Sequence, residues 1–313
     1  MKTTFPNRSK KYQETIEQIR DIILAKGKNK ISHIILFGSF ARGNFVFDQY
    51  VKDNVRYSYK SDFDILVVMK KAQFKHYSNI HLEDEIKKTV SKRYLDKKSY
   101  LSLIIEPLEK VNKMLLEGQY FFSDIKKEGI LLYQAEGCEL AEAGEISLER
   151  RKEIAEGHFR NWFRSAESFL DNALYKASKK DYKIGAFELH QATEHFFNCS
   201  LLTLTDYKPK THNLDILNKL CSSQSHQFLT IFPTATEEQK NCFNLLNSAY
   251  IDARYEESYT ISKEQLEYLI ERVEALKEIT KKVCEEKIES FVWGFVGAEF
   301  ILVLNTWIAA ISY

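Results

Sequence analysis

The second half of the chain is dominated by apolar residues at helical spacing. One apolar stripe runs from Ile154 to Leu174, and another runs from Leu266 to Val283. Residues three and four positions apart share one face of a helix, so each stripe predicts a long helix with one buried side. No stretch after Leu148 has the pattern of a strand. The sequence therefore predicts an all-helical bundle over residues 148–288.

Two polar pairs indicate where helices of this bundle begin. Thr236 with Gln239, and Ser262 with Gln265, have the spacing of a capping box. In that motif the two side chains satisfy free backbone N–H groups at the start of a helix. The pairs predict helices that begin near residues 237 and 263.

The first part of the chain has shorter apolar runs. Their spacing predicts two helices, over Tyr12–Leu24 and Asn79–Lys97, and three strands, over Ile31–Phe37, Phe63–Met69 and Tyr100–Ile105. A domain of mixed α and β structure is expected over residues 1–135, and the polar stretch 136–147 is typical of a linker. The predicted fold class is α+β, with a mixed sheet and its helices followed by an all-α bundle.

Charge and cysteine content narrow the classes of function. Lys and Arg number 45 against 44 Asp and Glu, so a formal charge of +1 gives no global attraction to nucleic acid. The five cysteines are scattered and form no C-x-x-C pair, which is typical of reduced thiols. The first twenty residues lack the apolar stretch of a signal peptide. A cytoplasmic location is expected for the bulk of the chain.

Two carboxylates stand where the second predicted strand begins. Asp62 and Asp64 lie in "YKSDFDILVV", and alternate residues of a strand point to the same side. The two acids would repel each other unless a cation lies between them. Hard oxygen ligands on one face suit Mg²⁺ or Mn²⁺, so Asp62 and Asp64 are candidate metal ligands and catalytic residues.

The first predicted strand ends in a turn that is suited to phosphate. In "ILFGSFARG", Gly38 and Ser39 connect a strand to a helix. Such a turn presents backbone N–H groups and a hydroxyl at a helix N-terminus, where the dipole favours an anion. The turn alone is a weak signal, but together with the acidic pair it predicts metal-assisted phosphoryl or nucleotidyl transfer.

The two motifs together resemble those of the nucleotidyltransferase superfamily of DNA polymerase β. Its signature is a Gly-Ser turn followed by two aspartates on the next strand, and Arg42 with Gly43 completes the form seen in minimal bacterial members. The resemblance covers about Tyr12 to Tyr133. It implies binding of an NTP, with ATP expected, by Gly38, Ser39 and Arg42. The segment Asn44–Lys60 is longer than usual, and its aromatic residues either form a flap or pack internally.

Members of this superfamily usually take a third carboxylate from a neighbouring strand. Glu106, which closes "YLSLIIEP", is the candidate for a third metal ligand and catalytic residue. The alternative is an acid at the end of a strand with no part in the site. In that case catalysis is in doubt, although nucleotide binding is not.

The segments "AFELHQATEHFF" and "SAYIDARYEESYTIS" resemble the HEPN domain, a helical bundle that is often fused to or paired with minimal nucleotidyltransferases. Many HEPN domains are ribonucleases that use an arginine followed four to six residues later by a histidine. Arg254 stands at the expected place, but no histidine occurs within the next seven residues. HEPN-type ribonuclease activity is therefore not expected. Arg254 either ends a helix or contacts the nucleotide or an acceptor between the domains.

The leading hypothesis is an enzyme that transfers an NMP from an NTP to an acceptor hydroxyl. The acceptor is a small molecule such as an aminoglycoside, or a protein tyrosine. The alternative is a nucleotide-binding sensor or regulatory protein without turnover, of the toxin–antitoxin or defence type. A homodimer through the helical domain is a further possibility.

The last segment, residues 289–313, is strongly apolar and lies outside both resemblances. Its length would allow a bilayer span, but Glu299 lies near its centre and would be costly in lipid. The alternatives are a membrane anchor and a helix buried against the bundle or in a dimer interface. The buried helix is favoured, because a glutamate can find a partner within protein.

Overall fold

The protein is described here by a computed structural model. It describes residues 1–45, 47–52, 55–71, 76–93 and 101–311, and the side chains of these residues except for 47–60, 76–80, 93 and 292–311. The chain forms two compact units, Met1–Glu145 and Ile146–Tyr313.

The first unit contains five α-helices and six strands among its described residues. The strands are β1 (Ile31–Phe37), β2 (Phe47–Lys52), β3 (Val55–Lys60), β4 (Phe63–Met69), β5 (Leu101–Pro107) and β6 (Ile130–Gln134). The helices are α1 (Gln13–Gly27), α2 (Gly38–Arg42), α3 (His76–Arg93), α4 (Leu108–Leu116) and α5 (Tyr120–Glu128). The predicted mixture of strands and helices is confirmed.

Four of these strands form the main sheet, in the order β5-β4-β1-β6. Strand β1 is antiparallel to both β4 and β6, whereas β4 and β5 are parallel. Every residue of β1 and of β4 is buried, as expected for central strands that are rich in branched apolar residues. Ile16, Ile19 and Ile23 of α1 belong to the same core. Strand β4 is therefore paired with a neighbour on each side.

Strands β2 and β3 pair separately as an antiparallel hairpin. This hairpin covers most of the segment that was expected to form a flap or to pack internally. The side chains of its aromatic residues lie outside the described residues. Phe45, just before the hairpin, is buried and stacks on Phe40 with the ring centroids 4.4 Å apart.

The predicted linker, residues 136–147, is bound along the first unit for most of its length. Asn112 of α4 donates to the carbonyl of Glu139 at 3.1 Å and accepts from the N–H of Ala141 at 2.8 Å. Lys126 of α5 donates to the carbonyl of Ala141 at 2.8 Å, and the N–H of Gly144 donates to the carbonyl of Leu115 at 2.8 Å. The boundary between the units accordingly lies at Glu145.

The described part of the second unit is helical, as predicted. Its helices are α6 (Leu148–Ser178), α7 (Tyr182–Thr205), α8 (Leu214–Gln224), α9 (Glu237–Ser248), α10 (Asp252–Tyr255) and α11 (Lys263–Ile311). The predicted capping box at Thr236 is present, with Gln239 as its partner. At Ser262 the backbone N–H donates to Gln265 Oε1 at 2.9 Å, and the hydroxyl accepts from the N–H of Gln265 at 3.2 Å. Both predicted helix starts are confirmed.

Helix α11 has 49 residues and includes most of the apolar C-terminal segment. Its side chains belong to the core as far as Val283, and Phe291 is buried as well. The side chains that would separate an anchor from a docked helix lie outside the described residues. Within the described part of the chain, no helix combines the length and apolar character that a bilayer span requires.

We predict that the full-length chain stays in the supernatant after a carbonate wash of membranes. We also predict that a chain lacking residues 292–313 binds nucleotide as the full chain does, because the candidate site lies in the first unit. Truncation after Phe291 keeps that buried side chain in place. Recovery of the full chain in the membrane pellet, with the truncated chain in the supernatant, would contradict the docked-helix prediction.

Candidate active site

The acidic pair lies at the start of β4, next to the end of β1. Asp64 stands opposite Phe37, the last residue of β1, in the antiparallel pairing. Phe63 points to the other side of the strand, where it is buried with its ring centroid 4.5 Å from that of Phe40. This aromatic contact anchors the start of the strand. Asp62 and Asp64 therefore share the face opposite the aromatic cluster.

The Gly38 turn is in direct contact with Asp64. Gly38 has a φ of +70°, which is unfavourable for other residues. A Cβ placed on Gly38 would lie 2.4 Å from Asp64 Oδ2, so the close approach also requires glycine. Ser39 follows as the second residue of α2 and is half-buried. The structure thus places Gly38 against Asp64, with Ser39 next in the chain and the charge of Asp62 near enough to act on Asp64.

The environment of Asp64 disfavours its charged form. Burial, followed by the negative charge of Asp62, raises the pKa of Asp64 to about 8. Hydrogen bonding by Ser102 and the charge of Arg42 oppose this rise in the pKa of Asp64. A cation bound beside the pair would remove this electrostatic cost.

We predict that the metal-free protein loses stability as pH rises from about 4 to about 8. In this range the native state keeps a proton on Asp64 that the unfolded chain, with an ordinary pKa of about 3.9, has released. The stability that this proton contributes is therefore complete below pH 4, and above it the free energy of unfolding falls by up to about 1.4 kcal/mol per pH unit. Urea unfolding in EDTA at several pH values, for wild type and Asp64→Asn, measures this dependence of stability on pH. Equal slopes for the two proteins would contradict the prediction.

Arg42 lies near the pair but pairs with another residue. Its guanidinium is 3.5 Å from Glu128 Oε2 of α5, and both side chains are about half exposed. Its charge still lowers the pKa of Asp64. A direct contact of Arg42 with nucleotide stays a prediction.

The expected approach of Glu106 to the acidic pair is wrong. Strands β4 and β5 are parallel, and Glu106 stands opposite Val68, whereas Ser102 stands opposite Asp64. Four residues of strand separate these positions, or about 13 Å at ~3.3 Å per residue. Glu106 is buried at the far end of the strand, where it pairs with Lys110. The third ligand was expected at the end of β5. The parallel pairing with β4 instead brings the start of β5 beside Asp64.

Ser102 is the site residue that the sequence analysis missed. A serine inside an apolar run carries no signal of its own. Only the parallel register of β4 and β5 places it beside Asp64.

The residues present fit a metal that takes part of its coordination from other molecules. Across the described residues, no group of three or more His, Cys, Asp or Glu side chains is arranged to hold a metal ion. Asp62 and Asp64 supply two carboxylates, and the charge on buried Asp64 is unfavourable without a cation. Mg²⁺ is commonly held by one or two carboxylates together with water and substrate phosphates. The pair therefore fits Mg²⁺ or Mn²⁺ in company with a nucleotide.

Arg254 lies in the second unit, in α10. Its Nε donates to the carbonyl of Tyr250 at 2.7 Å, and its guanidinium lies 4.5–4.9 Å from the ring centroids of Phe187, Tyr250 and Tyr255. These contacts fit the expected role at a helix end and add cation–π contacts. Its predicted contact with a nucleotide stays a prediction.

Histidines approach a buried carboxylate in the same unit. His212 Nδ1 is 2.9 Å from Glu194 Oε2, and His190 Nε2 is 3.6 Å from the same oxygen. His190 Nδ1 also contacts the carbonyl of Leu246 at 3.0 Å, so it links helices α7 and α9. Burial acts to raise the pKa of Glu194, but the two neighbouring histidines outweigh it, so the pKa is lowered.

Comparison with known proteins assigns the second unit. Residues 159–283 match the model of the HEPN domain, so this unit contains a HEPN domain, as the sequence predicted. The chain as a whole is an α+β protein in which a mixed-sheet unit precedes that domain. No curated protein matches the chain significantly.

Two solved structures share low similarity with the chain. One is a nucleotidyltransferase-like protein from Exiguobacterium sibiricum 255-15, with 11% identity and a TM-score of 0.28 over 87% of this chain and 78% of that one. The other is spectinomycin adenyltransferase AAD(9) from Enterococcus faecialis, solved with ATP and spectinomycin. It has 17% identity and a TM-score of 0.30 over 83% of this chain and 98% of that one.

Proposed function

We propose that the first unit is a metal-dependent nucleotidyltransferase that moves an NMP from an NTP, with ATP expected, to an acceptor hydroxyl. The observation that carries the proposal is the contact of the Gly38 turn with Asp64 Oδ2. A phosphate-binding turn and a metal-binding carboxylate serve one reaction only if they lie side by side. In this protein a methyl group on Gly38 would already overlap Asp64 Oδ2.

Each residue of the site has a distinct role in this proposal. Asp62 and Asp64 hold Mg²⁺ or Mn²⁺, which when bound neutralises charge on the phosphates and polarises them. The backbone of Gly38 and the hydroxyl of Ser39 hold the phosphate chain. The acceptor oxygen forms a bond to the α-phosphorus, the bond to the β-phosphate oxygen breaks, and pyrophosphate leaves. The proton of the acceptor hydroxyl is released to solvent.

Mass spectrometry tests the proposal. The full chain is incubated with each NTP, Mg²⁺ and candidate acceptors, and the masses of both the protein and the acceptors are read. The acceptors are aminoglycosides, aminocyclitols such as spectinomycin, and the protein's own tyrosines. We expect the mass of one NMP to be added to an acceptor or to the chain, with release of pyrophosphate. NTP binding without any such product would support the second candidate below.

The second candidate is a nucleotide-binding sensor or regulatory protein without turnover. The observation that favours it is the neutral Ser102 beside Asp64, with Glu106 at the other end of β5. A site with two carboxylates can bind a metal–nucleotide complex yet lack a base for the acceptor hydroxyl. Saturable, metal-dependent NTP binding with no turnover for any acceptor would select this candidate.

We predict that the protein has no metal-independent ribonuclease activity. Arg254 is held by Tyr250 and three aromatic rings, and its sequence lacks the expected histidine partner. Labelled single-stranded RNA incubated with the protein in EDTA should remain intact. Cleavage in EDTA that Arg254→Ala removes would contradict the prediction, and Arg164→Ala, on the exposed side of α6, is the matched control.

A further inference from the structure

Asp64 is held between two neighbouring strands at the point where its carboxylate meets the turn. On one side, the end of β1 brings Gly38 against Oδ2. On the other side, Ser102 of β5 stands directly opposite Asp64 in the parallel register. Because residues opposite each other in a sheet point to the same face, the serine hydroxyl can reach the carboxylate. In agreement with this placement, hydrogen bonding by Ser102 lowers the pKa of the Asp64 carboxyl against the larger effect of burial, which raises it.

These contacts restrict the orientation of the carboxylate. Asp64 is buried in a central strand, so its backbone is fixed by pairing on both sides. Rotation of the carboxyl group is limited by the Gly38 backbone, and the hydrogen bond from Ser102 selects one orientation. A metal ligand that is already oriented loses less freedom on binding than a mobile one.

We propose that Ser102 is a positioning residue for the metal site, whose hydroxyl holds the Asp64 carboxylate in the orientation that binds the metal. This inference rests on the proposed function, because it assumes that Asp62 and Asp64 bind Mg²⁺ or Mn²⁺. Ser102 acts through Asp64 and contacts no reacting atom in this proposal. It also adds no charge, which distinguishes it from a third acidic ligand at the same place.

Three substitutions of Ser102 are expected to change metal affinity in different ways. Alanine removes the donor and leaves Asp64 free to turn, so metal affinity should fall. Threonine keeps the hydroxyl and suits a strand, so affinity should stay near that of wild type. Aspartate adds a third carboxylate beside two others, so metal affinity should rise while the metal-free protein becomes less stable.

The experiment measures binding of Mn²⁺ alone to the full chain by electron paramagnetic resonance, without nucleotide. The variants are Ser102→Ala, Ser102→Thr and Ser102→Asp. The matched control is Ser32→Ala, because Ser32 is a buried serine of the same sheet whose hydroxyl donates to the carbonyl of Val68 at 3.0 Å and to no carboxylate. Urea unfolding in EDTA and in saturating Mn²⁺ gives the stability of each variant.

We expect Ser102→Ala to weaken Mn²⁺ binding about tenfold, in line with the loss of one hydrogen bond to a charged group. Ser102→Thr and Ser32→Ala should bind as wild type does, and Ser102→Asp should bind more tightly. If transfer is observed, Ser102→Ala should lower kcat more than it raises KM for the NTP. Wild-type Mn²⁺ affinity in Ser102→Ala would overturn the inference, and so would an equal loss in Ser32→Ala.

Failure of the proposed function gives a different result. In that case wild type and the variant with both Asp62→Asn and Asp64→Asn would bind Mn²⁺ equally. The inference about Ser102 would then fall together with its premise. If instead the wild type binds Mn²⁺ through the acidic pair and Ser102→Ala does so equally well, only the inference about Ser102 fails.

Discussion

Replacing both Asp62 and Asp64 with asparagine is expected to abolish metal-dependent nucleotide chemistry, by at least about 100-fold, and to leave the protein folded. In the proposed function the two carboxylates are the metal ligands at the turn, and the amides that replace them carry no charge. In metal-free buffer the variant should be more stable than wild type at pH 8, because it removes the two causes that raise the pKa of Asp64 to about 8, the burial of a charge and its repulsion from Asp62. NMP transfer measured by mass spectrometry and unfolding in EDTA provide the two readouts.

Glu106→Gln is the matched control for this pair. It also removes a buried carboxylate from the main sheet, but at the far end of β5, where the carboxylate pairs with Lys110. This variant should lose stability, because the salt bridge is broken, and should keep Mn²⁺ binding and transfer. Full transfer by the double asparagine variant, or loss of Mn²⁺ binding in Glu106→Gln, would contradict the assignment of the site.

The Gly38→Ala variant is expected to lose nucleotide binding and to unfold at lower denaturant concentration than wild type. The new methyl group would lie 2.4 Å from Asp64 Oδ2, and a φ of +70° costs a non-glycine residue about 1 kcal/mol. The turn and the carboxylate must therefore move apart. Urea unfolding and NTP binding in Mg²⁺, measured on the same samples, check both expectations.

The Gly137→Ala variant separates the effect of backbone strain from the effect of the overlap with Asp64. Gly137 also has a φ of +70°, but a Cβ there would meet nothing within 4 Å. This variant should show the backbone strain alone and bind NTP as wild type does. If both alanine variants bind NTP like wild type, the contact between turn and carboxylate does not serve nucleotide binding.

Local patterns in the sequence were sufficient to predict the central strands and the longest helices of this fold. The apolar stripes of α6 and α11 and the capping boxes at Thr236 and Ser262 depend on neighbours along the chain, and all are present. The acidic pair and the Gly38 turn also follow from short motifs. Strand β6, which pairs with β1, was not predicted as a strand, because five residues after a helix carry little periodic signal.

The partner of the acidic pair could not be predicted in this way. Which residue of β5 lies beside Asp64 depends on the direction and register of two strands that are distant in sequence. A parallel arrangement selects Ser102, and an arrangement that brought the strand's end to the site would have selected Glu106. The negative charge of Glu106 made it the expected third ligand. The parallel pairing of β4 and β5 instead places Ser102 beside Asp64.

The bound segment that follows β6 determines where this protein can be divided for study. A chain ended after Ala135 would leave the Asn112 side chain and the carbonyl of Leu115 without their partners from residues 139–144. A chain ended after Glu145 would keep all of these hydrogen bonds. Expression of the first unit alone, for crystallisation or binding assays, should therefore use residues 1–145, because residues 136–145 are part of that unit.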